Sequence, residues 1–240
     1  MTLQILDEWY GERAIDYVDA WELQRELHAQ RVADEITDTA MFLEHPPVYT
    51  AGRRTEPHER PLDGTPVVDV DRGGKITFHG PGQLVGYPIT KLPSHVLVVD
   101  YVRRVEEAMI RACADLGVTT GRVPGRSGVW LAAGQGRIER KVGAIGIRVS
   151  RGVTMHGFSL NADVDLGFYD RFVPCGIADA GVTTLSAELG RDVTVREAAE
   201  AIAPHLRELL DWQPYEPSPD TASDEHPSVP VLGVTAGARA

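Results

Sequence analysis

The sequence predicts an α+β fold, because strand-like and helix-like segments alternate without the regular β-α-β order of a doubly wound sheet. Two segments, residues 98–116 and 194–211, carry apolar side chains at a spacing close to 3.6 residues and are predicted helices. The chain has 240 residues, of which 42% are hydrophobic, so it is long and apolar enough for one core. We therefore predict a single domain over residues 1–212.

The first predicted element is a helix over residues 11–34. Its apolar face would consist of Ala14, Tyr17, Val18 and Trp21. A short buried strand is predicted at 41–44, where His45-Pro46-Pro47 ends it. The polar residues 53–64 form a predicted loop.

The remaining strands are predicted from apolar or alternating runs bounded by glycine and proline. They cover residues 67–70, 76–89 (interrupted by Gly80-Pro81-Gly82), 127–132, 138–150 and 153–161. In the run 138–150, Ile145, Ile147 and Val149 alternate with more polar or smaller residues, as one face of a strand requires.

The predicted helices over 98–116 and 194–211 have recognisable ends. Gly117 follows the helix over 98–116 as a C-terminal cap, and Thr194 with Glu197 forms a capping box at the start of the helix over 194–211. Glu106-Glu107 lies off the apolar stripe of the helix over 98–116 and is predicted to face solvent. Residues 213–240 contain five of the 16 prolines and no periodic apolar face, which predicts a disordered or loosely held tail.

Charge and targeting signals limit the possible functions. The net charge of −11 disfavours binding to nucleic acid or to an anionic membrane. The start of the chain lacks the basic and apolar regions of a signal peptide, and the longest aliphatic run, Val96–Val99, is too short to cross a bilayer. We expect a cytoplasmic protein with reduced cysteines.

The two cysteines differ in their surroundings. Cys113 lies on the apolar stripe of a helix and is predicted to be inert core. Cys175 lies in Val-Pro-Cys-Gly-Ile, which is typical of a presented nucleophile. Lys141 follows Glu139-Arg140 in what we predict to be a charged turn, and its ammonium would stabilise a Cys175 thiolate if it pointed toward that sulfur.

Several other patterns could indicate a binding site. His79 and His156 each precede a glycine, which fits either a turn cap or the wall of a pocket. Glycines in these stretches allow a ligand carbonyl to approach backbone N–H groups, but neither a phosphate loop nor a zinc-type cysteine spacing occurs. Asn161, Asp163 and Asp165 resemble a calcium loop only briefly, because Leu166 and Phe172 replace the required glycine and glutamate. No metal site is predicted.

Taken together and in order, five runs resemble the octanoyltransferases, also called lipoate–protein ligase B or lipoyl(octanoyl) transferases. They are EHPPVYT with Gly52-Arg53, RGGKITFHGPGQLVGYP at 72–88, KVGAIG at 141–146, HGFSLN at 156–161 and VPCGI at 173–177. The resemblance covers roughly residues 40–190. Gly143 departs from the family, where alanine is usual beside the lysine.

The resemblance implies a fold like that of the biotin/lipoate protein ligases, a mixed β-sheet flanked by α-helices. It implies that residues 1–212 form an acyltransferase domain without a cofactor. An octanoyl group would move from acyl carrier protein to a lysine of the lipoyl domains of 2-oxoacid dehydrogenase complexes or of the glycine cleavage H protein. Cys175 would carry the acyl group as a thioester, and Lys141 would lower the pKa of its thiol.

The resemblance also implies the acyl site, which would be formed by Arg72, Gly73, Gly74, Lys75, Ile76, Thr77, Phe78, His79, Ala144, Ile145, Gly146, Gly157, Phe158 and Ser159. We further expect Val142, Ile145, Phe158 and Leu160 to be candidates for the wall of an acyl tunnel. A basic rim of Arg53, Arg54, Lys75, Arg148 and Arg151 would attract acidic partner domains despite the net charge.

Three other functions remain open from the sequence. The first is an ATP-dependent lipoate ligase of the same fold, which would not need Cys175. The second is a Cys-His hydrolase with His79 or His156 as base. The third is an acyl-binding or lipoyl-domain-binding module without catalysis.

Overall fold

The computed structural model describes residues 3–134, 136–172 and 180–221. Its helices are α1 (Tyr17–Val32), α2 (Val98–Asp115), α3 (Leu185–Leu189) and α4 (Val195–Leu209). Its strands are β1 (Gln4–Trp9), β2 (Thr39–Leu43), β3 (Val48–Ala51), β4 (Val67–Asp69), β5 (Thr77–His79), β6 (Gln83–Ile89), β7 (Gly121–Val123), β8 (Arg126–Leu131), β9 (Arg140–Ser150), β10 (Val153–Asn161) and β11 (Gly181–Val182). Short 3₁₀ helices lie at Gly11–Arg13, Pro57–Glu59 and Leu166–Arg171.

The described strands form two sheets. The larger runs in the order β1-β2-β6-β10-β9-β8-β7, and β11 pairs with β9. The β1–β2 and β11–β9 pairs are parallel and the others antiparallel, so this sheet is mixed. The smaller sheet has the order β4-β3-β5. The predicted α+β class with a mixed sheet flanked by helices is confirmed.

Helices cover the larger sheet on both sides. Helices α2 and α4 pack together and bury their apolar stripes against β6, β8 and β9, with Val105, Met109, Ile202 and Leu206 fully enclosed. Cys113 is enclosed in the same core, and burial raises the pKa of its thiol to about 12. Such a thiol stays protonated at neutral pH, which agrees with its predicted inert role.

Helix α1 is shorter than predicted and turns a different face inward. Residues 11–13 form a separate 3₁₀ turn, and the buried positions are Tyr17, Ala20, Gln24 and His28, while Val18 is exposed. The buried face is half polar because Gln24 accepts the His156 N–H at 2.9 Å and His28 hydrogen-bonds Ser150 O. An apolar periodicity could not indicate that face.

The prediction that Glu106-Glu107 faces solvent is wrong. Both carboxylates are fully buried beneath β7 and the chain after α4. Glu107 pairs with Arg122 at 2.6 Å and Arg111 at 2.9 Å, and these hydrogen bonds outweigh the desolvation that alone would raise the pKa of its carboxyl, so that pKa is lowered. Buried carboxylates are stable only with such partners.

The chain after residue 212 also departs from the prediction of a loose tail, as far as it is described. The Ser218 N–H and hydroxyl donate to Glu107, Thr221 donates to Arg122 O, and the Tyr215 ring lies 4.8 Å from the Arg104 guanidinium carbon. Residues 213–221 therefore lie against α2 and β7. The predicted tail from 222 onward lies outside the described residues.

Within the described ranges, no helix combines the length and apolarity that a membrane span needs.

Candidate active site

A cavity of about 220 Å³ lies beside the larger sheet, where β9 and β10 face the segment that enters β5. Its walls contain Arg72, Gly74, Lys75, Thr77, His79, Ala144, Ile145, Gly146, Gly157, Phe158 and Ser159. Eleven of the fourteen residues proposed for an acyl site thus share one cavity. A buried cavity of about 150 Å³ holds a benzene-sized molecule, so this one has room for a short acyl chain.

Three residues of that set do not line the cavity. Ile76 and Phe78 point to the other side of β5, where they pack with Tyr49 in a separate core. The alternation of a strand places Thr77 and His79 on the cavity side and their neighbours opposite. Gly73 uses its N–H on Ile147 O at 3.0 Å, so it ties the loop to β9.

Two paired glycines allow Arg72 and strand β6 to lie close to β9 and β10. Gly146 and Gly157 face each other across β9 and β10. A Cβ on Gly146 would lie 2.9 Å from Arg72 Cδ, and one on Gly157 would lie 2.1 Å from Gly86 O. Arg72 is buried here and donates to the carbonyls of Thr50, Gly73 and Lys75, so it fixes the loop around the cavity.

Of the predicted tunnel residues, Ile145 and Phe158 line the cavity. Val142 and Leu160 do not, because both are fully enclosed in the core beneath α2 and α4. Ile145 and Phe158, which pair with each other across β9 and β10, contact the same core but lie where it borders the cavity. Gly143, where alanine is usual in the resembled family, has Met109 Sδ 2.9 Å from the position of a Cβ.

The prediction that Lys141 lies in a turn is wrong, because this residue lies near the start of β9. Its side chain lines the cavity and is only 9% exposed. The ammonium lies 4.5 Å from the centre of the Trp130 ring, which provides cation–π stabilisation. In the described part of the chain, no carboxylate pairs with this ammonium. A buried amine without an ion partner can interact with a reacting group instead.

A small extension of about 20 Å³ continues inward from Lys141. Its lining includes Thr77, Ser159, Tyr169 and Val182. Tyr169 precedes and Val182 follows the segment 173–179, and Val182 pairs directly with Lys141. The predicted nucleophile Cys175 lies in that segment, outside the described residues. Both described flanks of the segment thus border the same cavity as Lys141.

Two hydroxyl groups border Lys141 at this junction. Thr77 is 9% and Ser159 4% exposed, and both line the main cavity and its extension. Neither side chain has a hydrogen-bond partner within the described ranges. Because both residues line the cavity, these two hydroxyls are available to a ligand there.

The polar end of the cavity holds a hydrogen-bonded chain that the sequence did not reveal. His156 Nε2 is 2.7 Å from Asp71 Oδ1, and its Nδ1 is 3.4 Å from Tyr17 Oη. Tyr87 Oη is 2.8 Å from His45 Nε2. Because Ile15 O, at 2.7 Å from His45 Nδ1, can only accept, His45 donates through Nδ1 and Tyr87 donates to Nε2.

His79 is fixed in one tautomer by a second set of partners. Its Nδ1 lies 2.7 Å from Gln83 Oε1. The Gln83 amide nitrogen donates to Asn161 and Tyr169, so the amide presents its oxygen, which can only accept, to His79. His79 Nδ1 must therefore carry the proton. Its Nε2 lies 3.4 Å from Thr50 Oγ1. The remaining ring surface of His79 faces the cavity and stacks on Tyr17.

Burial keeps these histidines neutral. Desolvation is the largest cause that lowers the pKa of His45 to about 4 and the pKa values of His79 and His156 to about 3, and the charge of Arg72 contributes to the last two. Desolvation likewise raises the pKa of Tyr17 to about 12. The polar end of the cavity is thus uncharged at neutral pH except at Asp71, Arg72 and Arg148.

We expect the free energy of unfolding to fall as the pH drops below about 6.5. Below that pH these histidines are protonated in the unfolded chain but stay neutral in the folded one. Each buried histidine therefore lowers the free energy of unfolding by roughly 2 kcal/mol between pH 7 and pH 5. Urea titrations at the two pH values measure this loss. His45→Gln should reduce the loss, whereas His95→Gln, at an exposed position, should not. Equal losses in the two variants would contradict the assignment.

No group of three or more histidine, cysteine, aspartate or glutamate side chains suited to a metal ion occurs in residues 3–134, 136–172 and 180–221.

The fold places the chain in a known structural class of proteins. The chain superposes on the bipartite lipoate protein ligase of Thermoplasma acidophilum with a TM-score of 0.61 at 15% identity, covering 88% of this chain and 83% of that one. It also superposes on the biotin protein ligase of Aquifex aeolicus in complex with biotin and ATP, with a TM-score of 0.51 at 16% identity over 88% and 70% of the two chains. The fold is that of the lipoate and biotin protein ligases.

Similarity in sequence identifies the family more narrowly than the fold does. The model of the lipoyl protein ligase A/B catalytic domain matches residues 16–207. The octanoyltransferase of Salinispora tropica is 64% identical over 197 residues, 82% of this chain and 92% of that protein. The octanoyltransferase of Acidothermus cellulolyticus is 60% identical over 213 residues, 88% and 96% of the two chains. The chain belongs to the lipoyl protein ligase A/B catalytic domain family, and it is an acyltransferase.

Proposed function

We propose that this enzyme transfers an octanoyl group from acyl carrier protein to a lysine of lipoyl domains, the first step of protein lipoylation in the cytoplasm. Lipoyl domains of 2-oxoacid dehydrogenase complexes and the glycine cleavage H protein would be the acceptors. The observation that carries the proposal is Lys141: a buried ammonium, without a carboxylate among its described neighbours, beside an acyl-sized cavity. Both described flanks of the Cys175 segment border the small extension of that cavity beside Lys141.

The reaction proceeds in two balanced steps. The Cys175 thiolate attacks the carrier thioester, and the carrier thiolate leaves with a proton from the Lys141 ammonium. The acceptor lysine, as a neutral amine, then attacks the new thioester and gives its proton to the Lys141 amine while the Cys175 thiolate leaves. Thioester exchange is nearly balanced in free energy, so no nucleotide enters the cycle.

The surroundings of Lys141 support this cycle. An ammonium held in a salt bridge would be a poor proton donor, whereas the Trp130 ring stabilises a cation without taking its proton. The small lining residues Ala144, Gly146 and Gly157 would leave room for an extended acyl chain.

The requirement for ATP tests the proposed function against a lipoate ligase. The purified enzyme should octanoylate an apo lipoyl domain when given octanoyl–acyl carrier protein alone. Transfer that depends on ATP and a free acid would favour the ligase. Release of free octanoate with no labelled lipoyl domain would favour the hydrolase. Binding without either reaction would favour the non-catalytic module.

Thr77 and Ser159 are expected to hold the carbonyl oxygen of the tetrahedral intermediate, because their hydroxyls lie beside Lys141 without a partner among the described residues. Thr77→Val and Ser159→Ala should each lower kcat about 10²-fold and change KM little. Single-turnover acylation measures this. Thr39→Val, which removes a buried hydroxyl bonded to Thr37 O, is the matched control. Unchanged kcat in both site variants would refute the assignment.

A further inference from the structure

Several cations surround the mouth of the cavity, and most are already neutralised. Lys75 pairs with Glu59, and Arg148 pairs with Asp71. Arg126, on the opposite rim, pairs with Glu139 at 3.0 Å. These pairs weaken the predicted basic rim as a general docking surface for acidic partners.

Arg54 differs from these residues. It is exposed and yet lines the cavity, so its side chain lies where the cavity opens to solvent. Its backbone is held in place, since the Arg54 N–H donates to Gly74 O at 3.1 Å. Within the described ranges its guanidinium has no carboxylate partner. In a protein with a net charge of −11, an uncompensated guanidinium at the mouth is suited to an anionic ligand.

We propose that Arg54 binds the phosphodiester of the phosphopantetheine arm that carries the acyl group of the donor. The inference rests on the proposed function. With the acyl chain in the cavity and its thioester at Lys141, the rest of the donor arm must leave through the mouth. That arm contains one anionic group, its phosphodiester. A guanidinium pairs with phosphate oxygens through two parallel hydrogen bonds, which a neutral rim could not offer.

The neighbouring residue provides the matched control. Arg53 is also exposed and also unpaired with any described carboxylate, but it does not line the cavity. Its N–H donates to Arg72 O at 3.2 Å. Removing either charge changes the net charge equally, so only a specific contact separates Arg54→Gln from Arg53→Gln.

The test compares two small donors, octanoyl-phosphopantetheine and octanoyl-pantetheine, with an apo lipoyl domain as acceptor. In the parent enzyme the phosphorylated donor should have the lower KM. Arg54→Gln should raise that KM about tenfold, leave kcat unchanged and leave the KM for octanoyl-pantetheine unchanged. Arg53→Gln should change neither KM. The KM for octanoyl–acyl carrier protein should rise more in Arg54→Gln than in Arg53→Gln.

Two results would overturn the inference alone. One is an equal KM for both donors in the parent enzyme. The other is the same rise in KM in Arg53→Gln as in Arg54→Gln, which would indicate long-range attraction between charges. No transfer from either donor or from octanoyl–acyl carrier protein would instead overturn the proposed function, and the inference with it.

Discussion

Replacing Lys141 by methionine is expected to lower the rate of octanoyl transfer roughly 10³-fold, the range of a lost general acid-base group. Methionine keeps the length and packing of the side chain against Trp130 but removes the charge and the exchangeable proton. The effect should fall on kcat, since Lys141 acts on the proton of the thiol and of the attacking amine. Stopped-flow or quenched single-turnover transfer measures it.

Lys141→Arg separates the two roles of this residue. Arginine keeps a positive charge but does not release a proton near neutral pH. We therefore expect alkylation of the Cys175 thiolate by iodoacetamide to remain close to that of the parent enzyme while transfer stays low. Lys91→Met, which removes a surface lysine paired with Asp34, is the control and should keep full activity. Transfer by Lys141→Met within about tenfold of the parent rate would contradict a proton-transfer role.

Replacing Cys175 by alanine is expected to abolish both the acyl-enzyme and the transfer. Without the thiol, no thioester can form, and direct attack by the acceptor lysine would lack the covalent intermediate that divides the reaction into two easier steps. The loss should equal or exceed that of Lys141→Met. Cys113→Ala should retain transfer, because Cys113 is enclosed in the α2–α4 core and its thiol has a raised pKa.

The Cys175→Ala variant also distinguishes the competing functions. Labelling of the lipoyl domain by this variant, with lipoate and ATP supplied, would show a ligase that needs no thiol. Folding of the variant is checked by its urea midpoint, which should match that of the parent enzyme.

The sequence predicted the secondary structure well where the periodic signal was strong. The break at Gly80-Pro81-Gly82 does separate β5 from β6, and α2 runs from Val98 to Asp115 against a predicted range of 98–116. These elements bury one continuous apolar face, which a regular spacing of apolar residues reports directly. Helix α1 was predicted less well because its buried face contains Gln24 and His28.

The acyl-site residues came from the resemblance to a family, and strand alternation explains why part of that set does not reach the cavity. Thr77 and His79 face it, whereas Ile76 and Phe78 face another core. A motif of consecutive residues cannot distinguish the two sides of a strand.

The residues that the sequence missed are those brought together over long distances. His45 hydrogen-bonds Tyr87, and Asp71 hydrogen-bonds His156 across the gap between the two sheets. Nothing near His45 or Asp71 in the chain indicates such a partner. Glu107 was misassigned for the same reason, since Ser218, which donates to its carboxylate, is 111 residues away along the chain.

In the proposed reaction, Cys175 carries the acyl group between donor and acceptor. Intact-mass spectrometry after mixing the enzyme with octanoyl–acyl carrier protein, before and after adding an apo lipoyl domain, tests it most directly. We predict one octanoyl adduct, mapped to Cys175, that then moves to the lipoyl-domain lysine without ATP. A lipoyl domain that becomes octanoylated while the enzyme never gains mass, or an adduct on another residue, would contradict the claim.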